Sequence, residues 1–265
     1  MLALEAFAAI CCASAHAQVT VDGTPGSFFG TSTSSLGGSV AAANAGSNGV
    51  LLVGVSLTQA SDYVSSVTWG SYTLTCQVAQ STGGTSSCGS NSDSSHAYRV
   101  EIWGIALGSV TTTAATLTVT LHASAAAASA GYIFLTGANQ SQFVANSATQ
   151  HSTSGASSIT QTFSSLQAGS LIVDTLTTSG NSTIGVSGSG QVKQWCYQNS
   201  SQNISGCGST EAVSGSSGTM NWSLSGSPSF AYVALAVSPA PAAPARRGQT
   251  IVGQLQLNPK GGDHD

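Results

Sequence analysis

Thr116-Leu117-Thr118-Val119-Thr120-Leu121 alternates hydroxyl and aliphatic side chains with a strict period of two. Successive side chains of an extended strand point to opposite faces, so Leu117, Val119 and Leu121 share one face while Thr118 and Thr120 share the other. The aliphatic face packs inward and the hydroxyl face meets water. Short runs of the same kind, rich in Val, Ile, Leu and Thr and bounded by Gly, Ser and Asn, recur at residues 50–55, 64–69, 72–78, 98–107, 115–121, 131–135, 158–163, 170–175, 191–196, 219–224 and 230–237. They predict an all-β fold, an antiparallel β-sandwich of jelly-roll or immunoglobulin-like type. Helix signals are nearly absent. The alanine run 123–130 is short, capless and flanked by strand patterns, which predicts a turn.

The strands fall into two sets that answer one another, predicting pseudo-repeats over about 49–140 and 169–238. Gly49-Val50-Leu51-Leu52-Val53 aligns with Gly169-Ser170-Leu171-Ile172-Val173, and Cys76 with Cys196, both at an offset of 120; Cys88 aligns with Cys207 at 119. Arg99-Val100-Glu101 then answers Ser209-Thr210-Glu211, Thr116–Leu121 answers Thr219–Leu224, and Gly131–Leu135 answers Ala231–Leu235 at an offset of 100. A half of four or five strands would expose an apolar face, so one pseudo-symmetric unit is expected rather than two independent domains.

Composition narrows the function classes. Charged residues are 5% of the 265, and polarity resides instead in 47 Ser and 28 Thr. Five Lys and Arg cannot neutralise a phosphate backbone, which excludes a nucleic-acid partner. Hydrophobic content of 41% with a net charge of -4 also excludes acidic disorder.

Residues 1–17, MLALEAFAAICCASAHA, read as a signal peptide ending in a small-x-small pattern, although the segment carries Glu5 and no Lys or Arg. Cys11 and Cys12 lack lipobox neighbours, which argues against lipid attachment. No other apolar run approaches the roughly 20 residues of a membrane span. A secreted protein at the cell surface, in the extracellular matrix or in the periplasm is expected, with its β-domain over 18–238. Beyond it, 239–244 (PAPAAP) reads as a stiff linker, and residues 250–257 carry strand propensity without a local partner. Cys76, Cys88, Cys196 and Cys207 remain after cleavage, and spacing favours disulfides 76–88 and 196–207, each around a loop rich in Gly, Ser and Asn.

The succession Leu51–Ser56, Val64–Gly70, Arg99–Trp103, Thr116–Leu121 and Ala234–Val237 before a Pro-rich end resembles a group of secreted bacterial β-sandwich domains with no assigned function. The resemblance covers most of the mature chain through strand patterns and implies an exported sandwich with no catalytic residues to carry over.

Chemistry is sparsely signalled. No Gly-x-Ser-x-Gly elbow is present, and Ser is too abundant for a paper triad to carry weight. A glycoside hydrolase needs facing carboxylates, and the acids of the core are Asp22, Asp62, Asp93, Glu101, Asp174 and Glu211. Glu101 and Glu211 are the candidate pair because they occupy answering positions, yet Glu101 beside Arg99 also reads as a solvated ion pair. Asp93 and His96 lack a third metal ligand, and His122 and His151 are isolated, so neither a metal nor a cofactor is expected. Trp195 and Tyr197, with Asn199 and Asn203 in the following loop, resemble a sugar-contacting surface of ring plus amides; Trp195 also reads as buried packing. The leading expectation is a non-catalytic binding or adhesion module, its partner an extracellular polysaccharide. The alternatives are a surface-layer or fibre subunit joining its own copies through the C-terminal strand, and a polysaccharide hydrolase using Glu101 and Glu211.

Overall fold

Alternation and β-branched content translate directly into strands. The computed structural model describes residues 17–58, 63–90, 98–180 and 182–242, and among these there is no helix. The strands are β1 (Thr20–Val40), β2 (Gly46–Thr58), β3 (Val64–Trp69), β4 (Tyr72–Ser81), β5 (Tyr98–Val110), β6 (Ala115–Thr136), β7 (Val144–Ser152), β8 (Ser158–Phe163), β9 (Leu171–Ser179), β10 (Ile184–Val186), β11 (Gln191–Asn199), β12 (Ile204–Ala212), β13 (Gly218–Leu224) and β14 (Phe230–Val237). Every pairing among them is antiparallel.

The all-β antiparallel expectation holds, but the first six strands do not make an open sandwich. Their order is β1-β6-β2-β5-β4-β3, and β3 pairs again with β6, closing a five-stranded barrel with β1 laid along β6. Closure follows from the length of β6. Its first half pairs with β3 (Leu121 opposite Val64) and its second half with β2 (Ala127 opposite Thr58). The alanine run expected to turn therefore continues the strand, with Ala127, Ala128 and Ala130 buried and paired on both sides. Small side chains allow close packing where the strand bends between its two partners.

The remaining strands form a five-stranded sheet, β11-β12-β9-β14-β7, and a three-stranded sheet, β10-β13-β8. Three apolar clusters stack through the molecule. The first fills the barrel, with Leu51, Val53, Val55 and Leu57 of β2 around Trp69 and Trp103. The second lies between barrel and five-stranded sheet, where Val50, Leu52, Ile133 and Leu135 meet Val173, Val233 and Leu235. The third joins the two small sheets, Ile172 and Tyr232 packing on Ile159, Met220 and Trp222. β2, β9 and β14 thus bury both faces, which is why they read as continuous apolar runs rather than alternations.

Pairing order is shared between the halves. β6 takes β1, β2 and β3 as partners, and β5 joins β2 to β4; likewise β14 takes β7 and β9, β13 takes β8 and β10, and β12 joins β9 to β11. The offset of 120 inverts the faces, however. Leu51 points into the barrel, whereas Leu171 faces the barrel from outside. At the C-terminal end the fold continues past residue 238: Pro239 bridges Ala138, and Ala240 is buried and donates its N–H to Gly137 O at 2.7 Å.

Candidate binding site

Both disulfides have the expected pairing. Cys76 on β4 joins Cys88, and Cys196 joins Cys207 directly across the β11–β12 ladder. Such bridges fit an oxidising compartment. No helix among the described residues is long and apolar enough to cross a membrane.

The two candidate catalytic acids lie apart, Glu101 enclosed in the barrel and Glu211 half-buried on β12. Arg99, Glu101 and Trp103 alternate on β5 so that all three point into the barrel. Arg99 and Glu101 are wholly inaccessible to solvent, which replaces the expected solvated pair with a buried one. Glu101 accepts from Arg99 Nε at 2.6 Å, Trp103 Nε1 at 2.8 Å and Val64 N at 3.1 Å. It has three donors on it and no solvent-accessible surface, so no polysaccharide can reach it. Glu211, on β12, accepts from Thr219 N of β13 at 3.2 Å, and burial pushes its carboxyl up from the usual range. The pair does not flank a common cleft.

Asp174, to which the sequence reading gave no role, is the more perturbed acid. It interrupts the buried run of β9 and is fully enclosed. Its carboxylate accepts from Ser209 N at 2.9 Å, Ser209 Oγ at 2.6 Å and Trp222 Nε1 at 2.7 Å, and desolvation nevertheless raises its pKa from 3.8 to about 7. It ties the five-stranded sheet to the three-stranded one. Closed to solvent, it has no route to a substrate.

Of the expected sugar-contacting residues, Trp195 is interior. It is 7% exposed and lies in a slot between the barrel and β12, lined by Gly54, Gly131 and Gly208. A Cβ at Gly131 or Gly208 would come within 2.1 Å of the indole. Asn203 is turned toward Tyr98, its Nδ2 donating to the phenol oxygen at 3.1 Å while that phenol donates to Asn203 O at 3.0 Å. Tyr197 and Asn199 remain together, Asn199 Nδ2 donating to Tyr197 Oη at 2.7 Å.

What joins them comes from β1, a strand absent from the sequence reading. Phe28 turns inward and stacks on Tyr132. Phe29 turns outward, 64% exposed, and stacks on Tyr197 with ring centroids 4.4 Å apart and planes 16° from parallel. Beside it a groove of about 430 Å³ follows β1 through Phe28, Phe29, Thr31, Thr33, Ser35 and Leu36. A register shift between Thr33 and Ser35 shapes it, held by Thr33 Oγ1 donating to Ser35 O at 2.6 Å. None of the described residues lining it is charged.

The chain matches no protein-family model, no curated protein and no solved structure.

The other sequence candidates do not converge. His122 stacks on Tyr63, and His151 is exposed on β7. Asp93 and His96 lie outside the described residues. Among the described residues no three His, Cys, Asp or Glu side chains are grouped to hold a metal. The signal that could have found the site was Phe28-Phe29, two adjacent aromatics in a chain with 6% aromatic content. In a strand such a pair must divide between two faces, leaving one ring outside.

Proposed function

We propose that this protein is an exported, non-catalytic binding module that holds carbohydrate at the Phe29–Tyr197 platform, serving at the cell surface or in the extracellular matrix. The observation that carries the reading is Phe29: a large ring with 64% of its surface open, supported from below by a stacked Tyr197. Sugar rings present C–H faces that pack on flat aromatics, and their hydroxyls need neutral donors and acceptors alongside; Thr31, Thr33, Ser35 and Asn199 provide both. The two disulfides and the signal-like residues 1–17 support export. The shared pairing order of the two halves supports an origin by duplication, with the aromatic platform built from one ring of each half, Phe29 on β1 and Tyr197 on β11. A glycan array probed with the full mature chain and with Phe29→Ala tests the reading. Binding that disappears in the variant is expected, and an array blank for the native chain refutes it.

A second reading is favoured by one observation. β1 is paired with β6 alone, so its other edge carries no strand among the described residues. An assembly subunit would fill that edge with residues 250–257 of a neighbouring copy. Because Ala240 is part of the fold, the informative truncation removes residues 243–265 rather than everything after Ser238. Light scattering that finds oligomers only for the full chain favours assembly; monomers in both cases reject it.

A further inference from the structure

We infer that the ligand of the β1 groove is a neutral polysaccharide, bound along the chain, and not a uronate, sulfated or phosphorylated polymer. The inference rests on the carbohydrate reading above and narrows it.

The groove follows the strand from Ser27 to Gly37, and none of the described residues lining it carries charge. An anionic glycan brings one charge on each acidic unit, and those charges need Lys or Arg to replace the water they lose. The whole chain has five such residues. Among the described residues they are Arg99, buried against Glu101, and Lys193, whose Nζ donates to Ile184 O at 3.3 Å. Neither lines the groove. The formal net charge of -4 opposes an anionic polymer further. A neutral polymer meets what the site does offer, which is one open ring and a row of hydroxyls. The groove runs along an edge strand rather than into a closed pocket, which suits the interior of a chain more than its terminal residue.

The test is affinity electrophoresis of the full mature chain through gels containing a neutral glucan, a mannan, a xylan, alginate or dextran sulfate. Retardation by at least one neutral polymer and by neither anionic one is expected. Raising NaCl from about 0.1 M to about 1 M, which shortens the screening length from about 10 Å to about 3 Å, should leave that retardation unchanged. Phe29→Ala removes an exposed ring, so the fold tolerates it; affinity should fall about tenfold or more, with Phe29→Tyr restoring it. Retardation by alginate or dextran sulfate that weakens with salt overturns the neutral assignment and leaves the carbohydrate reading standing. Retardation by no polymer overturns both. Neutral binding indifferent to Phe29→Ala overturns the placement in this groove.

Discussion

Raising the pH from about 4.5 to about 8 should destabilise this protein, and Asp174 supplies the reason. Its folded pKa is about 7 against 3.8 for the free side chain, with desolvation the largest cause. Between those values the unfolded chain releases the Asp174 proton while the folded chain keeps it. The unfolded state therefore binds fewer protons, and stability falls as pH rises through this window. Three pH units at 1.36 kcal/mol each amount to about 4 kcal/mol, lost between about pH 4 and pH 7 and constant above. The titratable group facing Asp174 is Tyr232 on β14, which in turn feels Glu211 on β12; β8, β10 and β13 carry no titratable side chain. Glu211, also raised by burial, adds in the same direction. With nine acidic residues in the entire chain, opposing contributions are few. Urea midpoints measured across the window are the assay, with Asp174→Asn as the comparison. The amide cannot accept from both Ser209 and Trp222, so the variant loses about 1–3 kcal/mol at low pH, but its stability should be nearly flat across the window. A native protein as stable at about pH 8 as at about pH 4.5, or a variant that keeps the native slope, refutes the reasoning.

Three further outcomes follow from the packing. Gly208→Ala places a methyl group 2.1 Å from the Trp195 ring and should lower stability by about 1–3 kcal/mol, whereas Gly215→Ala, with open space around it, should stay within about 0.5; thermal melts that rank them equally contradict the slot. Glu101→Gln leaves Arg99 charged and enclosed in the barrel, at a cost of about 3–5 kcal/mol, readable as a lowered urea midpoint; an unchanged midpoint means that the pair is not sealed from water. Replacing Cys196 and Cys207 together by Ser removes a link closing 11 residues and should cost about 3 kcal/mol, and a calorimetric loss near zero argues that the paired strands already hold this ladder.

Strands whose cores are fed from one or both faces were legible in the sequence because burial writes itself as period two or as an unbroken apolar run. β3, β8 and β14 were bounded residue for residue. β1 and β7 were not seen, since each is largely exposed along an edge and needs no aliphatic stripe. β12 was missed for the opposite reason: it is almost wholly buried, yet Gly206 and Gly208 make room for Ser56 and Trp195, so its sequence shows holes where its partners show side chains. Barrel closure was equally hidden, because it depends on β6 spanning two partners through an alanine run that carries no β signal of its own.

The same logic explains why the expected sugar-contacting residues part company in the fold. Trp195 and Tyr197 alternate with Cys196 on β11 and so share the face turned to the barrel. The inner ring meets three glycines and disappears, while the outer one reaches past the barrel rim to Phe29. Which of two rings on one strand face stays open is decided by the glycine pattern of three other strands, two of them more than 60 residues away in the chain. Periodicity within β11 cannot carry that information. A reading confined to one segment offers Trp195 both as a contact surface and as buried packing; the fold buries it and leaves exposed a phenylalanine on a strand that local pattern does not announce.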